Sequence, residues 1–194
     1  MASEIRALTE YRAFHNTDPP QLAEIWRSQQ ASRGLMQPMS VAVLDHYVLS
    51  KPTFDPRGLI VAVEDDKLVG FSHAGFGPSE DGSRLSTERG VTSVVMIRPD
   101  AEQAVAGELL ARSEAYLKGQ GAKKLYGGGS YPLSPFYYGL YGGSEPSGVL
   151  DSDARTQAIF RESGYHEARR SLVLHRDLAG FRPLVDRQQM QIRR

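Results

Sequence analysis

"VTSVVMIRPDAEQAVAGELLARSEAYLKGQGAKKLYGG", Val91 to Gly128, is the stretch that decides the fold. It opens with a largely apolar run closed by Pro99, the pattern of a strand covered on both faces. From Asp100 to Gly119 the period changes to that of a helix, with Ala106, Leu109, Leu110, Ser113 and Leu117 along one face. "GAKKLYGG" then predicts a short strand. A strand, helix, strand unit of this length joins parallel strands by a right-handed crossover, so the chain is expected to be an α/β domain.

The upstream sequence predicts the rest of a sheet and its cover. "LIVAVEDDKLVGFSHAGF", Leu59 to Phe76, is two apolar runs separated by Asp65 and Asp66, which predicts a β-hairpin at the centre of an antiparallel sheet. A polar loop from Gly77 to Arg89 is expected between this hairpin and the next strand. Before it, Glu10 to Phe14 reads as a short extended segment. "NTDPPQLAEIW" supplies cap residues, two prolines suited to a first helical turn, and Leu22, Ile25 and Trp26 at helical spacing. Ser40 is placed to cap a second helix carrying Val41, Leu44 and Val48, with Pro52 near its end.

Downstream, Gly129 to Leu150 is a long loop rich in Gly, Pro, Ser and Tyr, of the kind that is often functional in a compact domain. Asp151 to Ser163 predicts a last helix stopped by Gly164, and Tyr165 to His175 a final strand. The expected architecture is a mixed, mostly antiparallel sheet of about six to seven strands flanked by helices. The 194 residues fit one domain, 1–178, followed by a basic, mildly apolar tail or linker over 179–194.

Composition narrows the function. Hydrophobic residues are 40% and charged residues 24% of the chain, a globular balance. The formal net charge is zero, without the basic excess that phosphate contacts give a nucleic-acid binder. No cysteine is present, which excludes disulfides, thiol nucleophiles and cysteine-ligated zinc. The first thirteen residues lack the continuous apolar core of a signal peptide, and no stretch approaches a membrane span. The expectation is a cytoplasmic protein acting on a small molecule or peptide, with no nucleic acid and no membrane.

The order strand, two helices, hairpin, strand, long helix, strand, helix, strand resembles that of the GNAT (GCN5-related) N-acetyltransferases. "VMIRPDAEQAVAGELLARSEAYLKGQGAKKLYGG" resembles the segment with which that superfamily binds coenzyme A. "AIFRESGYHE" resembles its closing helix and the glycine-aromatic turn after it. "PFYYGLYGGSEPSGVLDSDA" is similar to a stretch of longer bacterial relatives in which two such domains lie in tandem.

The resemblance implies acetyl-CoA as acyl donor and direct attack by an amine in a ternary complex. The pyrophosphate would lie over the start of the long helix, where unpaired N–H groups and small side chains let a phosphate approach. Ala101, Ala104, Val105, Ala106 and Gly107 match this loop. Ala101 stands where the family carries Gln or Arg, and Asp100, Glu102 and Glu108 surround the site with carboxylates. Backbone groups of Val95, Met96 and Ile97 would pair with the pantetheine arm like an added strand. A main-chain N–H in the same region would stabilise the developing oxyanion.

The family's general acid, a tyrosine four residues before the glycine of the last helix, is replaced by Phe160, and its pantetheine-contacting asparagine by Asp153. Thr92, Ser93 and Met96 offer no carboxylate as base. Tyr131, Tyr137, Tyr138 and Tyr141 are candidates to place a phenol near the sulfur, or else packing residues. His73 is a candidate base near neutral pH, or a structural histidine. Glu88 is a candidate amine contact, or a solvated loop charge, and Trp26 reads as core or acceptor-site wall. The catalytic residues are therefore left unassigned. Two functions follow: an acyl-CoA-dependent N-acyltransferase of unidentified amine acceptor, or a catalytically degenerate GNAT-like module with a structural or ligand-sensing role. The apolar residues of the tail suggest a homodimer or a second GNAT-like domain as partner, or a tail folded back on its own domain.

Overall fold

The computed structural model describes residues 8–30, 33–35, 37–79, 81–130, 132–138, 148–172, 174, 177 and 179–180. The predicted order of elements is present as far as the last helix, and each begins or ends where local chemistry requires. Strand β1 (Glu10–Ala13) leads to helix α1 (Pro19–Arg27), whose first turn holds both prolines, where no intrahelical N–H is needed. Helix α2 (Val41–Leu44) is capped by the Ser40 hydroxyl, which accepts from Val43 N–H, and continues into a wider turn over Asp45–Leu49.

Strands β2 (Leu59–Glu64) and β3 (Lys67–Pro78) form the predicted hairpin. Its two-residue turn holds Asp65 at φ 47° and Asp66 at φ 63°, the left-handed pair that matches the twist of an antiparallel ribbon. Strand β4 (Leu85–Ile97) is followed by helix α3 (Gln103–Gly119) and strand β5 (Lys124–Gly127). Helix α4 (Ala154–Glu162) ends at Gly164, whose φ of 84° suits only glycine without strain.

The five strands lie in sequence order, β1-β2-β3-β4-β5, antiparallel except for the parallel pair β4 and β5. Alternation along the strands feeds two cores. Leu59, Val61, Val94 and Met96 face α1 and α2, where Leu22, Ile25, Trp26, Leu44 and Val48 pack. Ile60, Ala62, Val95 and Ile97 face α3 and α4, where Val105, Ala106, Leu109, Leu110, Ile159 and Phe160 pack. Both faces are covered, which explains why Val91 to Ile97 shows no polar alternation.

Three expectations are corrected. The loop expected over Gly77 to Arg89 shrinks, because β3 runs to Pro78 and β4 starts at Leu85. The sheet has five strands among the described residues, not six or seven. Residues 165–172 of the expected final strand join no ladder and are largely exposed: lacking pairing partners, alternation alone did not make a strand. Of the tail, 181–194 lies outside the described residues, as do Tyr131 and Tyr141. No helix among the described residues is long and apolar enough to cross a membrane.

Candidate functional site

The site begins at an irregularity in β4. Opposite β3, His73 pairs with Val94 and Ala74 with Thr92, so Ser93 is an extra residue, a β-bulge. The bulge shifts the phase of the strand's edge. Thr92 and Ser93 carbonyls both accept from the chain leaving β5, from Gly128 N–H at 2.9 Å and Gly129 N–H at 3.1 Å. Beyond Ser93 the strands part, for β5 has ended at Gly127 while β4 continues to Ile97.

The outward edge of β4 past this point carries the carbonyls of Val95 and Ile97; that of Met96 alternates toward β3. All three side chains are buried, so only backbone is on offer here. That edge is already occupied by side chains. Arg33 Nη2 donates to Val95 O at 3.2 Å, and Gln29 Nε2 to Ile97 O at 3.1 Å. Arg33 is held further by Asp153 Oδ2 at 2.6 Å, Thr156 Oγ1 at 2.8 Å and Gln29 Oε1 at 2.7 Å. What space remains between Arg33, Ser93, Val95, Gly128, Asp153 and Phe160 is about 20 Å³, room for one water.

A second, open cleft of about 190 Å³ lies between the first turns of α3 and the end of α4. Ala104 and Gly107 line it with Gln103, Ile159, Glu162 and Ser163. Val105 and Ala106 point into the core instead. A side chain built at Gly107 would meet nothing within 4 Å, and the N-cap Glu102 places no side-chain cap on the helix. Two small residues therefore line a cleft beside the first turns of α3, with the Glu162 carboxylate on its other wall. Ala101 brings no cation, but Arg155 of α4 donates to Ala101 O at 2.9 Å and to Gln103 Oε1 at 3.0 Å, carrying a guanidinium to the start of α3.

The remaining candidates are placed by the tertiary structure. His73 is 1% exposed, ringed by Phe54, Phe136 and Tyr137, and shares a 2.9 Å hydrogen bond from Nδ1 to Tyr137 Oη. Burial holds its pKa down at about 3, and of the two readings of His73 the structural one fits its place in the core. Tyr137 stacks on Trp26 with ring centroids 5.9 Å apart, and both are core. Glu88 is exposed and pairs with Lys123 at 2.7 Å. Phe160 packs on Tyr165 and against Gly127, at the edge of the small cavity. Asp153 caps α4 by accepting from Thr156 N–H. Ser93 and Ser134 hydroxyls meet at 2.8 Å beside the bulge.

Several solved structures share this arrangement of strands and helices. A transcriptional regulator from Bacillus halodurans C-125 superposes with a TM-score of 0.59 at 14% identity, over 87% of this chain and 99% of its own. Aminoglycoside N-acetyltransferase AAC(6')-Iy in complex with CoA gives 0.60 at 13% identity, over 90% and 99%. Ribosomal-protein-alanine N-acetyltransferase from Brucella melitensis biovar Abortus 2308 gives 0.57 at 15%, over 87% and 99%. The fold is that of the GNAT acetyltransferases. No protein-family model and no curated protein sequence matches the chain. At these identities the GNAT likeness speaks for architecture, and activity has to be argued from the site.

Sequence reasoning located the start of α3 and the edge of β4. It missed Gln29, Arg33 and Arg155. Each is one polar residue among many in a polar segment, and its place depends on contacts with distant elements.

Proposed function

We propose that the chain is an acyl-CoA-dependent N-acyltransferase that moves an acetyl group to an amine by direct attack in a ternary complex. The observation that carries this reading is the parting of β4 and β5 after the bulge at Ser93, beside which an open cleft lies at the first turns of α3. Acetyl-CoA supplies an activated acyl thioester. The residues of this chain bind and orient: N–H groups of the first turn of α3, beside Ala104 and Gly107, take the pyrophosphate with Arg155 as nearby cation. The Val95 and Ile97 carbonyls offer acceptors to the pantetheine amides. Main-chain N–H groups where β4 bulges are the donors available to the thioester oxygen.

The side chains of Thr92, Ser93 and Met96 supply no base, and His73 is buried. Positioning is therefore the chief source of rate, and the acceptor amine must arrive neutral. Turnover rises with pH as that amine loses its proton. The alternative, a module without catalysis, is favoured by the occupied edge of β4 and by the fold's occurrence in a transcriptional regulator.

Isothermal titration with coenzyme A tests the reading. Binding to the native chain and its loss in Ala104→Glu, at unchanged melting temperature, is the expected outcome. Undiminished affinity in Ala104→Glu moves the site elsewhere.

A further inference from the structure

Arg33 stands where an added strand would pair. Its guanidinium takes the Val95 carbonyl, and through Gln29, which it holds by a 2.7 Å bond, the Ile97 carbonyl is taken as well. These are the two outward acceptors of β4 beyond the bulge. The bonds to the strand, at 3.2 and 3.1 Å, are longer than Arg33's own bonds to Asp153 at 2.6 Å, Gln29 at 2.7 Å and Thr156 at 2.8 Å. Asp153 divides its two oxygens: Oδ2 accepts from Arg33 and Oδ1 from Thr156 N–H at the start of α4. Helix α4 therefore keeps its cap when Arg33 leaves.

We propose that Arg33, braced by Gln29, is a latch on the donor groove: closed, it occupies the acceptors that a pantetheine arm would use, and a donor binds only to the state in which it has swung out. The inference rests on the acyl-donor reading above. A latched apo protein shows an apparent dissociation constant equal to the intrinsic one divided by the open fraction, so abolishing the latch removes that penalty. Contacts made only in the closed state also stabilise the free protein. Removing them should loosen the fold and tighten binding at once, a pairing that a merely structural arginine would not produce.

The experiment compares the native chain with Arg33→Ala and Gln29→Ala by calorimetric titration of coenzyme A and by thermal unfolding without ligand. Arg33→Ala is expected to melt lower yet bind coenzyme A at least about tenfold more tightly, the gain for an open fraction of one tenth. Gln29→Ala should shift both in the same directions by less. Because Arg33→Ala leaves a carboxylate unpaired and half of a buried pair is costly to remove, Arg33→Ala with Asp153→Asn serves where the single variant fails to fold. Equal or weaker affinity in the Arg33 variants, with coenzyme A still bound by the native chain, overturns the latch and leaves the donor reading standing. Absence of binding in every protein overturns both.

Discussion

His73 carries the clearest residue-scale consequence. Burial lowers its folded pKa to about 3, while in the unfolded chain it titrates near its ordinary value of 6.5. Above pH 6.5 both states are neutral and the folded state bears no penalty. Below it the unfolded state takes up a proton that the folded state refuses, so stability falls as pH drops through the window from 6.5 toward 3. The slope from one such proton is about 1.4 kcal/mol per pH unit. Urea unfolding at pH 7 and pH 5 should show a larger loss for the native chain than for His73→Gln, and equal losses would mean that the imidazole protonates inside the fold. The residue was legible in the sequence as a strand histidine. Its role was not, because Phe54 and Phe136, which exclude water from it, lie 19 residues before it and 63 after it in sequence.

At the scale of elements, α4 depends on one carboxylate for two tasks. Asp153 caps the helix and pairs with Arg33, the two side chains being 8% and 13% exposed. Loss of a cap costs about 0.5–2 kcal/mol, and removing one partner of a fully buried pair about 3–5 kcal/mol. With this pair partly exposed, Asp153→Ala should destabilise by about 2–4 kcal/mol. Asp153→Asn, which keeps an acceptor for Thr156 N–H, should lose less. Denaturant midpoints at unchanged m-value measure both, and equal losses would show that capping contributes nothing. The sequence placed the start of this helix at Asp151, three residues before Ala154, and gave no sign that Asp153 is its cap. The ion pair joins residues 120 positions apart and left no mark on local spacing.

On the scale of the whole molecule, one sheet separates two cores, and the question is whether they unfold together. The single tryptophan, Trp26, lies in the core under α1 and α2, while Leu109 lies in the core under α3. The central strands β2, β3 and β4 contribute residues to both, which couples the two faces. Leu109→Ala removes a fully buried side chain and should cost about 2–5 kcal/mol. If the domain is one cooperative unit, Trp26 fluorescence should report the full shift, coincident with circular dichroism. A fluorescence midpoint that stays put while helicity is lost earlier would show two independent halves.

By itself the sequence determined what local physics controls. Period-two and helical spacing set the order of the first elements, Asp65 and Asp66 marked the hairpin, Ser40 a helix start, and Gly164 a helix end. The run from Val91 to Gly128 determined the parallel pair β4 and β5. Tertiary structure alone decided whether 165–172 found a strand partner, where His73 met its aromatic neighbours, and which side chains took the outward carbonyls of β4. The physical reason is that exposure and pairing are properties of contacts between remote segments: a strand pattern needs an edge to join, and Arg33 acquires its place from Asp153, Thr156 and Val95, none of which lies near it in the chain.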